Sequence, residues 1–291
     1  MARLGREGLV SMKLNEITSI GRPVDFNYPT NRAIGILSAV VLVATTLLQL
    51  FAGKQFFEAW FWGVGAGVTV FLAWALCREL DPDHDQSAFF AAGLAVIGLF
   101  VFGLANLGRL FWLLLAVRVV NRTTGLPATI VDSLAVVGLS GWLVYNGNWG
   151  FGVLTVVAFL LDSQLAPPHR QQIIFAGLSA LSTAAIVILK GPLWPEAGFS
   201  WGAGLVAVGL SAVFIPVILW SSTLKGMEDE SGEGLKPMRI QAGQAFALMA
   251  GIEIALWNGA PGLRSMMPLW ATVVGAAIYG FLFVPRPKKQ V

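Results

Sequence analysis

The sequence predicts an all-α polytopic integral membrane protein of about ten transmembrane helices, with both termini cytoplasmic. Three observations carry that expectation. Of 291 residues, 56% are hydrophobic and only 12% charged, about half of the roughly 25% charged share of a soluble domain. Apolar runs recur at lengths near the ~20 residues that cross ~30 Å of hydrocarbon. Lys and Arg then sort by loop, with fifteen of nineteen on one side, as the positive-inside rule expects. The same composition excludes a soluble globular enzyme and a disordered chain, and a single cysteine, Cys77, excludes a disulfide framework. No helix-turn-helix, zinc or RNA-binding signature accompanies the net charge of +3, so nucleic acid is not an expected partner. Membrane lipids are expected partners, with other membrane-protein subunits beside them, and the expected location is the plasma (inner) membrane.

Residues 1–32 are polar and mixed in charge and read as a cytoplasmic lead-in, with Met12 as an alternative start. Spans are then expected over 33–52, 58–77, 88–105, 109–121, 129–145, 149–163, 172–189, 201–223, 240–257 and 267–284, each bounded by charge, Pro, Gly or Asn. The fourth has only 13 residues, about 20 Å of helix at ~1.5 Å per residue, short enough to be re-entrant. Residues 88–121 cannot form one helix, because Asn106, Gly108 and Arg109 interrupt the run. Gly63 and Gly67 stand at small-xxx-small spacing for helix packing, and Pro216 is expected to kink the eighth span. Residues 225–239, with Glu228, Asp229, Glu230 and Glu233 among Gly and Ser, read as a flexible acidic cytoplasmic loop. Residues 285–291 form a basic tail. Tryptophan supplies a second check: nine of the eleven fall at or near outer helix ends, the headgroup level that the amphipathic ring prefers. Merging two spans would send Lys225, Lys236 and Arg239 outward, so the number of crossings is expected to be even.

Candidate functional residues collect in the cytoplasmic loops. After the second span come Arg78, Glu79, Asp81, Asp83, His84 and Asp85. These carboxylates are hard oxygen donors that could bind a divalent cation, Asp81, Asp83 and Asp85 first; as a turn rich in Asp and Pro they also read as plain solvated structure. At the end of the fourth span, Arg118 and Arg122 are four residues apart, on one helix face, where they could grip a phosphate or headgroup. Alternatively they anchor the topology, with Arg118 snorkelling to the interface and pairing with Asp132. Asp162, His169 and Arg170 follow the sixth span. Asp81 and Asp162 lie in similar surroundings 81 residues apart, which suggests a parallel four-helix repeat, spans one to four against five to eight. Glu253 is the one acidic residue well inside an apolar run, where carboxylates are functional suspects.

Three functions follow from this pattern. Acidic residues in the loops after the second and sixth helices, Asp81, Asp83, Asp85 and Asp162, resemble in placement the UbiA-type prenyltransferases. That resemblance implies Mg²⁺ and a phosphorylated isoprenoid or lipid substrate at a cytoplasmic site. The first loop lacks that family's Asn-Asp pair, and the second offers only Asp162. Ten short helices also resemble the drug/metabolite transporter layout of five plus five helices in inverted repeat, which implies a small-solute or lipid carrier. The leading expectation is non-enzymatic: a membrane-complex subunit, an assembly factor, or a lipid or pigment binder. Short loops, two His, three Tyr and abundant Phe and Trp suit packing against helices and hydrophobic ligands better than chemistry.

Overall fold

A computed structural model describes residues 17–22, 24–191 and 199–284. Among these residues it contains ten α-helices and no strand. They are α1 (Pro29–Phe51), α2 (Phe56–Leu80), α3 (Ser87–Phe102), α4 (Leu107–Asn121), α5 (Ile130–Asn146), α6 (Gly150–Gln164), α7 (Gln172–Lys190), α8 (Trp201–Trp220), α9 (Pro237–Ser265) and α10 (Met267–Phe283). A 3₁₀ turn at Ser221–Thr223 prolongs α8. Five helices are long and apolar enough to cross a bilayer: α1, α2, α7, α8 and α9. The others have 15 to 17 residues. The basic tail, Trp194 and most of the lead-in, including Met12, lie outside the described residues.

Local sequence sets the helix ends. Pro29 and Pro237 open α1 and α9 in the first turn, where a missing N–H costs nothing. Asn106 caps α4 by accepting a hydrogen bond from the Arg109 N–H, and Thr129 and Asp132 form a reciprocal capping box on α5. The expected ninth span stopped at Trp257, where Asn258, Gly259 and Pro261 end the apolar run. The structure continues to Ser265 across a break at Gly259, whose φ of 62° and ψ of −144° lie in a region open essentially to glycine.

Packing sorts the helices into two groups joined by a central one. α1, α2, α3, α10, α8 and α9 pack successively on one side, and α5, α6 and α7 pack together on the other. α4 stands between them against α2, α9, α5 and α6, with Leu110, Trp112, Leu113, Ala116, Val117, Val119 and Val120 buried. Trp112 donates from Nε1 to Thr155 Oγ1 at 2.9 Å across the α4–α6 seam, so the one polar atom of that core tryptophan is satisfied. Close approach relies on small residues. Beside Gly67 a Cβ would stand 2.8 Å from the Ser38 carbonyl oxygen, and beside Gly275 it would stand 2.6 Å from Ala91 N. α1, α7 and α8 keep most of their apolar surface outward, where lipid covers it. Along the two stretches of the expected parallel repeat, α2 packs on α3 and α6 on α7, while α4 lies on α2 and α8 lies on α9 and α10.

Candidate functional site

The alternation of ten helices puts the C-termini of α2, α4, α6, α8 and α10 at one end of the bundle, with the N-termini of the odd-numbered helices. All the loop residues singled out from the sequence belong to this charged end; Glu253 does not.

At its centre is Asp162, fully buried in the last turn of α6. Its carboxylate receives Arg122 in bidentate fashion, Nε to Oδ1 at 2.7 Å and Nη2 to Oδ2 at 2.9 Å. It also receives Arg239 Nη1 at 2.8 Å on Oδ1. Arg239, 1% exposed, spends its other donors on the carbonyls of Val120, Leu165, Ala166 and Pro167. His169 Nδ1 stands 3.7 Å from Asp162 Oδ2, and Arg170 is exposed. Two buried guanidiniums thus share one buried carboxylate, with carbonyls absorbing the remaining N–H groups, the condition under which a buried ion pair is tolerated.

Arg118 and Arg122 do not act as a pair, contrary to the shared-face expectation. Arg122 leaves the helix as a left-handed C-cap, φ 49° and ψ 46°, an uncommon conformation for a residue with a side chain. That turn swings its guanidinium to Asp162, while Arg118 stays on the helix and donates from Nε to Glu79 Oε1 at 2.8 Å. Arg118 therefore pairs with Glu79, and not with the Asp132 that the anchoring alternative offers it. Glu79, 1% exposed at the end of α2, also accepts Thr123 Oγ1 at 2.7 Å, with Arg22 Nη1 3.8 Å away. Asn121 donates to the Glu79 carbonyl at 2.7 Å, and Gln244 donates to that of Leu80 at 2.6 Å, so two amides cap the α2 C-terminus. Asp132 caps α5 and accepts the Ser19 N–H at 2.8 Å.

The acidic loop after α2 is divided among separate partners. Asp81 accepts from His84 Nδ1 at 2.7 Å, Asp83 accepts the N–H groups of Lys225 and Gly226 at 2.9 and 2.7 Å, and Asp85 pairs with Arg78. The hydrogen bond to Asp81, aided by the charges of Asp81 and Asp83, holds the His84 pKa above its ordinary value. Among the described residues no three His, Cys, Asp or Glu converge as metal ligands. The geometry of Asp81, Asp83 and Asp85 therefore does not fit a shared Mg²⁺ shell.

Within 225–239, expected to be a flexible acidic loop, residues 225–236 fold back as a hairpin and Pro237 opens α9. Met227 and Gly234 form a bridge, and the N–H groups of Asp229 and Glu230 donate to the Thr123 and Thr124 carbonyls at 3.2 and 3.1 Å. Gly125, φ 85°, makes room for this docking, since a Cβ there would meet Glu228 Oε2 at 2.4 Å. A cleft of about 170 Å³ remains beneath the hairpin, lined by Arg122, Pro167, Glu228, Glu233, Lys236 and Arg239.

Glu253 lies fourteen residues beyond Arg239, about 21 Å along α9, near the opposite end. Both its oxygens are enclosed and accept no hydrogen bond from the described residues. It packs against Gly150 at the start of α6, where a Cβ would come within 1.9 Å of Oε1. The N-terminal end of that helix is favourable for a carboxylate. The sequence alone assigns Arg239 only to the end of a flexible acidic loop, 225–239. The signal that could have found it is Pro237, which marks a helix start two residues earlier and places an arginine at the positive end of a helix dipole, where it needs a carboxylate.

No protein-family model matches the chain, and no solved structure matches it. Curated relatives do match: an uncharacterised MFS-type transporter from Mycobacterium tuberculosis, found in strains CDC 1551 / Oshkosh and ATCC 25618 / H37Rv. Each is 25% identical over 228 residues, which cover 74% of this chain and 27% of the relative. The chain thus spans about a quarter of the length of the relatives it matches. With the all-helical architecture and its five long apolar helices, this likeness establishes a polytopic helical membrane protein in contact with lipid.

Proposed function

We propose that the chain carries a solute across the plasma membrane, with the charged end facing the cytoplasm and closed in this conformation. The observation that carries the reading is the likeness to MFS-type transporters along three-quarters of the chain. The geometry supports it. The charged end is held shut by contacts that tie both helix groups to the end of α4 and to each other, Glu79 of α2 with Arg118 of α4, and Asp162 of α6 with Arg122 and with Arg239 of α9. Alternating access needs such an end, closed by discrete contacts between its helices. The carboxylates expected to hold a metal are committed to protein partners, which favours transport over diphosphate chemistry. The likeness to transporters also favours it over the subunit or pigment-binder expectation.

The test is flux through the full chain in proteoliposomes, with a panel of labelled organic anions, organic cations, sugars and amphipathic solutes. Saturable uptake of at least one class above protein-free vesicles is expected. No saturable uptake of any class, together with co-purification in a fixed ratio with another membrane protein, would return the chain to the subunit reading.

A further inference from the structure

The segment Ile17–Arg22, which is outside the ten named helices, crosses the charged end. Ile20, 5% exposed, belongs to one buried apolar cluster with Val119 of α4, Val136 and Val137 of α5, Phe159 of α6 and Phe175 of α7. On the α5 side, Ser19 gives its N–H to Asp132 at 2.8 Å and its hydroxyl to the Pro127 carbonyl at 2.8 Å. Thr18 donates its hydroxyl to the same carboxylate, and Thr129 donates to the Ile17 carbonyl at 2.8 Å. On the other side, Arg118 Nη1 donates to the Ile20 carbonyl at 2.8 Å. Arg22 reaches Thr123, Glu79 and, at 2.8 Å, Asp229 of the hairpin. Six residues thus connect α5, whose main helix neighbours are α4, α6 and α7, to the end of α2 and to the hairpin.

These contacts differ from the ion pairs beneath them in what they leave behind when broken. Were the segment to lift, Asp132 would keep the Thr129 N–H in the α5 capping box. Glu79 would keep Arg118 and Thr123, and Asp229 is more than half exposed and would pass to water. No charge would be orphaned in the interior. Asp162 offers no such exit: it is fully buried, and separating it from Arg122 and Arg239 strands buried charges. The outer layer can therefore open while the inner one holds.

The geometry points to Ile17–Arg22 as a releasable clasp that fastens the α5–α7 group to the α2 end and the hairpin, so that its release exposes the closed face. The role in gating rests on the transporter reading; the clasp itself does not, and it is tested by accessibility and not by flux. Ala128, 3% exposed in the loop before α5 and in the cluster that receives Ile20, is the reporter position. In the full chain carrying Ala128→Cys, a maleimide reagent should react slowly. Thr18→Ala with Arg22→Gln removes side-chain ties and leaves Ile20 in place, and Ile20→Ser removes the knob. Either should speed labelling at position 128 by about tenfold, the effect of losing roughly 1.4 kcal/mol of local stability. Cys77, fully buried between helices, should stay unreactive. Unchanged labelling at position 128 in both variants would overturn the clasp. So would equal acceleration at Cys77, because the segment would then be holding the whole fold. Faster labelling at position 128 alone, in a protein that shows no flux, would keep the clasp and remove the transporter reading.

Discussion

Asp162 carries more of the charged end than any other residue, because among the described residues it is the one carboxylate on which Arg122 and Arg239 both converge. Asp162→Asn keeps the shape and removes the charge, which leaves two guanidiniums buried with only carbonyl partners. Breaking one side of a buried pair costs about 3–5 kcal/mol, so the variant should lose most of its detergent stability. Asp83→Asn is the comparison. Its carboxylate accepts two backbone N–H groups at the hairpin, contacts that an amide oxygen replaces in part, at a cost of about 1 kcal/mol. Thermal unfolding at one scan rate would rank them, and equal midpoints would refute the central role of Asp162. At this scale the sequence named most of the participants but none of the pairings. Asp162 and Arg239 are separated by 77 positions, and local spacing carries no information about such a contact. Arg118 and Arg122 showed the limit of spacing itself: i and i+4 share a face only while the helix continues, and α4 ends at Arg122 in a left-handed turn.

Apolar run length and its interruptions were enough to place all ten helices, with starts and ends within a few residues except at α9. There the rule that Gly and Pro end a helix failed, because Gly259 bends the chain and the helix resumes. The small-residue spacing of Gly63 and Gly67 was also legible, and the structure gives it a partner in α1. A Cβ at Gly67 would lie 2.8 Å from the Ser38 carbonyl oxygen and 3.2 Å from Leu42 Cβ. Backbone cannot move aside as a flexible side chain can, so Gly67→Ala should push α1 from α2 and cost about 1–3 kcal/mol. Gly93 on α3 has nothing within 4 Å of its would-be Cβ, and there alanine should be neutral or gain up to about 1 kcal/mol of helix propensity. If the two substitutions had the same effect on thermal stability, close α1–α2 packing would not be what Gly67 provides.

For the molecule as a whole, the open question is which face the charged end meets. The structure gathers Arg22, Arg32, Arg78, Arg118, Arg122, Arg170, Lys225, Lys236 and Arg239 at that end and leaves Lys54, Arg109, Lys190 and Arg264 at the other. Several of the first set are neutralised by carboxylates, so the two ends differ less in net charge than in number of basic residues. Orientation is set by the latter, since Asp and Glu contribute little to it, and the charged end should therefore be cytoplasmic. Two exposed positions at opposite ends test this: Asn146, closing α5, and Glu230, in the hairpin. The native Cys77 is buried and gives a silent background. In intact cells a membrane-impermeant maleimide should label Asn146→Cys at once, and Glu230→Cys only after permeabilisation. The reverse pattern would turn the molecule over, placing the clasp, the hairpin and the Asp162 centre outside, where the closed end would face incoming solute instead of the cytoplasm.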